Sequence, residues 1–122
     1  DDILKKLGNK NQLILDARNK ERFLGKEKEP RRDIRSGHIP FSRNIFWKRM
    51  TKNGEKILSK NLIIKELSRF NLNNKHIILS CGSGISACVL SLSLMHALDI
   101  KAPVYDGSWA EWGSNNKLPK EK

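Results

Sequence analysis

One residue in this chain stands in a setting arranged for chemistry, and it is Cys81. It lies in HIILSCGSGISACVLSLSLMHAL, residues 76–98, where an apolar run ends on Ser80, two glycines follow the cysteine within three residues, and a long apolar segment resumes. A strand, a tight turn and a helix in immediate succession put Cys81 at the carboxyl end of a strand and at a helix mouth, where ligand sites of open α/β sheets lie. Gly82 and Gly84 let the backbone turn there without a Cβ clash. The N–H groups of such a loop converge and, with the helix dipole, favour an anion at their centre. The same field favours thiolate over thiol. Cys81 is therefore expected to be an exposed nucleophile, and Cys88, seven residues on inside an apolar helix, to be packing.

Residue types around the cysteine narrow the reaction. A cysteine phosphatase needs an arginine six positions after the nucleophile to grip phosphoryl oxygens with a bidentate fork. That position is Ala87. Acyl transfer needs a histidine base and a group to orient it; of His38, His76 and His96, the second opens a buried strand and the third sits late in a helix, so both read as packing or surface. The Cys81–Cys88 spacing matches neither a CxxC pair nor a metal-ligand pair. A ring of backbone donors around a thiolate suits a different cargo, an outer sulfur carried as a persulfide anion.

These residues need a scaffold. QLILDAR, residues 12–18, reads as a buried strand closing on Asp16, followed by one or two helical turns with Asn19 as N-cap and Gly25 as stop. Residues 26–44 read as a long functional loop. IFW, residues 45–47, suggests a second strand. SKNLIIKELSRF, residues 59–70, places Leu62, Ile63, Leu67 and Phe70 on one helical face. HIILS, residues 76–80, has the pattern of a strand buried on both faces, and residues 84–100 read as a largely buried helix. APVYDGSWAEW adds a strand, a turn at Asp106–Gly107 and a short helix from near Ser108. Strands alternating with helices predict an α/β fold with a central, mostly parallel sheet of about five strands between helical layers.

At 122 residues the chain has the length of one domain, 1–122. It opens on Asp1, not Met, and reads as a piece of a longer protein. No apolar segment reaches the ~18–20 residues that cross a bilayer, so no membrane insertion is expected. Few cysteines and no disulfide framework suggest a reducing compartment, cytoplasmic by default, with a mitochondrial one also compatible. The net charge of +11 is uneven: residues 1–60 hold 17 Lys/Arg against 8 Asp/Glu. Such a patch attracts anions in general. No nucleic-acid-binding signature accompanies it, so a nucleic acid is not an expected partner.

Three stretches together resemble a known family. CGSGISAC, DARNKERFLGKEKEPRRDIRSGHIPFSRNI and YDGSWAEWG occur across residues 12–113 and are similar to motifs of the rhodanese-type sulfurtransferases, within them the C-terminal catalytic domain of the 3-mercaptopyruvate sulfurtransferases. The resemblance implies a rhodanese-like three-layer domain with Cys81 as nucleophile and sulfur carrier. Ser83 would assist proton transfer or orient substrate, and Gly82, Gly84, Ile85 and Ser86 would supply loop N–H donors. Arg22 and Arg31 would clamp the carboxylate and carbonyl of 3-mercaptopyruvate, while Asp16, Arg18, His38 and Asp106 would fix loops and turns. Implied partners are 3-mercaptopyruvate or thiosulfate as donor, thioredoxin, a small thiol or cyanide as acceptor, and an N-terminal rhodanese domain of the same protein. Basic residues usually come directly after the cysteine in thiosulfate-preferring relatives, where this chain has Gly82 and Ser83. Phe41 replaces the glycine usual after GHIP, and Arg43 stands where the family tends to be apolar. A non-catalytic rhodanese-like binding module is the reading from a different functional class.

Overall fold

The computed structural model describes the chain apart from Asp1, Lys6, Arg31, Asn74, residues 82–85 and residues 106–107. After a single helical turn, α1 (Asp2–Lys5), comes β1 (Gln12–Asp16). Helix α2 (Lys20–Phe23) starts where Asn19 accepts the Arg22 backbone N–H at 2.9 Å, and Gly25 lies just beyond it at φ +75°. The loop after it leads to β2 (Arg43–Asn44), then a 3₁₀ turn at Trp47–Met50. A hairpin, β3 (Thr51–Lys52) and β4 (Lys56–Ile57), precedes α3 (Lys60–Leu67). The chain continues through β5 (His76–Ser80), α4 (Ala87–Leu98) and α5 (Ser108–Ser114).

The sheet is parallel, in the order β2–β1–β5. Alternation along the two longer strands divides the core. Leu13 and Leu15 of β1 and Ile77 and Leu79 of β5 join Ile63 and Leu67 of α3 and Leu90 and Leu94 of α4. Ile14 and Ile78 point the other way, to Ile39 and to Trp109 and Trp112 of α5. Helix, sheet, helix is the expected three-layer arrangement. Burying each of these aliphatic side chains contributes about 1.5–3 kcal/mol.

The sheet is smaller than the five strands expected: among the described residues it has three parallel strands, and β3–β4 forms a separate antiparallel pair. Among the described residues Val104 makes a single parallel bridge to Leu79, and Pro103 before it has no N–H to extend the ladder on that side. The expected strand at 45–47 is displaced to Arg43–Asn44, and Trp47 enters the 3₁₀ turn. The hairpin arises from Asn53–Gly54, both at positive φ, with Glu55 N–H donating to Lys52 O at 3.1 Å. On α3 the buried seam is Ile63 and Leu67, at i and i+4, and Phe70 just beyond the helix end is buried too; Leu62 lies one step round the helix and is 48% exposed. The same spacing puts Cys88, Leu92 and Met95 on the outer side of α4, so the helix expected to be largely buried is buried along one face, and Cys88, expected to be packing, is exposed.

His38 ties the loop down. Its ring stacks on Phe23 at 3.7 Å, and Nδ1 lies 2.6 Å from the Phe23 carbonyl, which can only accept, so Nδ1 carries the proton. Its backbone exchanges two hydrogen bonds with Glu121, at 2.8 and 3.0 Å. Gly37, at φ +117°, allows that approach; a Cβ there would overlap the Glu121 carbonyl.

Candidate active site

Parallel pairing of Asp16 with Ser80 brings the ends of β1 and β5 to one edge. Ala17 N–H donates to Ser80 O at 2.7 Å, so Arg18 and Asn19, leaving β1, emerge beside Cys81, leaving β5. The Cys81 main chain is gripped by the start of α5. Its N–H donates to Ser108 Oγ at 3.1 Å, and its carbonyl accepts the Trp109 N–H at 2.8 Å. Ser108 in turn donates its hydroxyl to Tyr105 O at 2.7 Å from a left-handed backbone, φ +47°. Cys81 is 1% exposed, against the expectation of an exposed thiol. Strand alternation explains this: Ile77, Leu79 and Cys81 face the same way, into the core beneath α4.

In front of these strand ends is a cleft of about 560 Å³, lined by Arg18, Arg22, Glu29, Trp47, Lys48 and Ser86 among others. Ser86 is the residue before α4, so the cleft lies at the positive end of a twelve-residue helix.

Buried Glu29 organises the cationic wall. Arg22 holds it with two donors, Nη2 to Oε1 at 2.7 Å and Nε to Oε2 at 3.1 Å. That hydrogen bonding raises the Arg22 pKa, outweighing the opposing effect of burial, with the charges of Glu29 and Asp16 adding to it. Arg18, 2% exposed, is committed to structure: Nη2 reaches Asp16 Oδ2 at 2.8 Å and the Gly37 carbonyl at 2.7 Å, and the guanidinium lies 5.2 Å from the Trp109 ring centre. Its Nη1, 3.4 Å from Glu29 Oε1, has no hydrogen bond among the described residues. Among the described residues two arginines face two carboxylates here, and Lys48 is a further cation.

Of the expected site residues, Arg22 and Ser86 line the cleft and Cys81 lies buried at the strand end. Arg22 arrives with two of its three donor nitrogens engaged by Glu29, not as an open clamp. Arg31, Gly82, Ser83, Gly84 and Ile85 lie outside the described residues, as does the turn at Asp106–Gly107. Sequence reasoning missed Glu29 and Ser108. The signal for Glu29 was a carboxylate amid arginines in a loop that otherwise repels itself; for Ser108 it was a small hydroxyl directly after Gly107, where a helix begins.

A match to the rhodanese-like domain runs over residues 1–115. The chain belongs to the rhodanese-like family. This rhodanese-like domain is 40% identical over 108 residues to thiosulfate/3-mercaptopyruvate sulfurtransferase 1, mitochondrial, of Arabidopsis thaliana, covering 88% of the chain and 28% of that protein. It is 40% identical over 109 residues to the 3-mercaptopyruvate sulfurtransferase of Escherichia coli (strain K12), covering 88% of the chain and 38% of that protein. The crystal structure of Tum1 protein from Saccharomyces cerevisiae superposes with a TM-score of 0.82 at 32% identity, over 98% of this chain and 43% of that one. The chain spans well under half the length of each.

Proposed function

We propose that this rhodanese-like domain is the catalytic part of a sulfurtransferase that moves sulfur from 3-mercaptopyruvate through a Cys81 persulfide to a thiol acceptor. The observation that carries the reading is the position of Cys81 at the carboxyl end of β5, its main chain held by Ser108 and Trp109 beside the Ser86-lined cleft.

In the first stage the Cys81 thiolate attacks the donor sulfur, the C–S bond breaks, and its electron pair leaves on pyruvate enolate, which takes up a proton. Main-chain donors at Gly82, Gly84, Ile85 and Ser86 hold the negative sulfur, as preorganised dipoles stabilise charge developing in a water-poor site. Ser83 serves proton transfer or donor orientation. Arg31, and Arg22 as buttressed by Glu29, receive the carboxylate and carbonyl of the 2-oxo acid. In the second stage an acceptor thiolate attacks the outer sulfur and Cys81 departs as thiolate. Thioredoxin or a small thiol serves as acceptor, an N-terminal rhodanese domain of a longer protein closes the cleft, and a reducing compartment, cytoplasmic or mitochondrial, keeps Cys81 as a thiol.

Intact mass spectrometry after incubation with 3-mercaptopyruvate tests the reading. The protein should gain one sulfur atom with release of pyruvate, and Cys81→Ser should gain none. Loading at Cys88, or no loading at all, refutes it. The second reading, thiosulfate as donor, is favoured by the extra cation Lys48 at the cleft, and comparison of loading rates with the two donors decides between them.

A further inference from the structure

The first cleft leaves the excess basic charge of residues 1–60 unexplained, since Arg18 and Arg22 there are matched by Asp16 and Glu29. A second cleft, of about 510 Å³, shares Asn19 and Phe46 with the first as a common wall. Four cations from four parts of the fold line it: Lys20 of α2, Arg43 of β2, Arg49 of the 3₁₀ turn and Arg69 just after α3. Glu21 is the one acidic residue in its described lining.

Two of these forks are held in place. Arg69 donates Nη2 to the Asn44 carbonyl at 2.9 Å, and its guanidinium lies 4.6 Å from the ring centre of buried Phe70. Arg43 lies 5.3 Å from the same ring. Such cation–π seating fixes direction while leaving N–H groups for a ligand. Arg49 pairs with Glu66 at 2.9 Å; among the described residues neither Arg43 nor Arg69 has an ion-pair partner. The Arg69 pKa is lowered, first by burial and then by the charges of Arg49 and Arg43, with Glu66 opposing. Like charges drawn together in a concavity, two of them seated on a buried ring and unmatched by carboxylates, favour binding a multiply charged anion.

We propose that this second cleft binds a small phosphate ester or pyrophosphate through Arg43, Arg69 and Lys20, with Arg49 at its edge. Guanidinium forks match tetrahedral oxyanions in a bidentate way, and several converging cations favour a multiply charged group over a monocarboxylate. The volume falls within the roughly 300–1,000 Å³ of small-molecule sites, and Phe23 and Phe46 in the lining offer an apolar surface to the organic part of an ester. The shared wall places such a ligand beside the mouth of the first cleft. Anion binding here is independent of sulfur transfer.

Calorimetric titration with pyrophosphate at low ionic strength tests it, with inorganic phosphate and a single-stranded oligonucleotide as comparison ligands. Saturable one-to-one binding by pyrophosphate is expected, tighter than by phosphate. Arg43→Gln and Arg69→Gln should each weaken it by roughly tenfold or more, the loss of a charge-assisted hydrogen bond. Lys48→Gln in the first cleft and Lys117→Gln on a distant surface should leave it intact, with melting curves confirming that each variant is folded. Unchanged affinity in both arginine variants, equal weakening by Lys48→Gln or Lys117→Gln, or tighter and steeply salt-dependent binding of the oligonucleotide would overturn it.

Discussion

Ser108 Oγ accepts the backbone N–H of Cys81 at 3.1 Å while donating to the Tyr105 carbonyl at 2.7 Å. One hydroxyl thus joins the end of β5 to the start of α5, and it does so fully buried, with 0% of Ser108 exposed. Removing it takes the acceptor from the buried Cys81 N–H, at a cost of about 1–3 kcal/mol, while the Tyr105 carbonyl keeps the Ser108 backbone N–H at 2.9 Å. Ser108→Ala should lower the urea midpoint accordingly. It should also slow sulfur loading of Cys81 by more than it lowers the fraction folded, because the main chain carrying the sulfur loses its anchor. Loading that tracks the folded fraction alone would reduce Ser108 to a structural role.

Glu29→Gln removes the charge that Arg22 grips with two hydrogen bonds and that faces Arg18 Nη1 at 3.4 Å. Breaking a buried ion pair on one side strands the other side, and about 3 kcal/mol of destabilisation is expected. Denaturant unfolding measures it. In the folded fraction Arg22 is released toward the cleft, so the KM for an anionic donor should change by more than kcat.

Phe41 occupies the turn after GHIP at φ +67°, a left-handed conformation that costs an L-residue roughly 1–2 kcal/mol and glycine almost nothing. The residue is 65% exposed and its ring lies over Gly8, so little packing is at stake. The turn keeps the glycine geometry without the glycine. Phe41→Gly should raise stability by about 0.5–1 kcal/mol in a urea melt, the greater backbone freedom of unfolded glycine offsetting the rest.

Tyr105 has its pKa pushed from 10.0 up to about 12, first by burial, then by the negative charge of Glu111 and its hydrogen bond to that carboxylate. A raised folded-state value means that the native protein holds the proton where the unfolded chain has lost it, so stability falls as pH rises from about 10 to about 12. Tyr105→Phe should flatten that part of the stability profile and leave neutral pH almost unaffected. Melting temperatures recorded across the alkaline range make the comparison.

Local signals carried much of the fold. Asn19 and Gly25 bracket α2, the apolar run at 76–80 is a strand, and Ile63 and Leu67 keep helical spacing on the buried side of α3, with Phe70 buried just past its end. Asn53–Gly54 was an equally local hairpin signal that went unread. Leu62 and Leu92 misled because apolar identity says nothing about which side of a helix meets the sheet; only the packing of α3 and α4 against β1 and β5 makes that choice.

The sequence by itself determined the order of strands and helices, the cysteine at a strand end, and the motifs that mark the family, because propensity, periodicity and turn chemistry act between near neighbours. Tertiary structure alone decided that Cys81 lies buried against the core, that Ser108, 27 positions away, holds its backbone, and that Arg22 closes on Glu29. Parallel pairing of β1 with β5 aligns their ends, and the loops those ends release then meet. Long-range register, which no local pattern encodes, made the site.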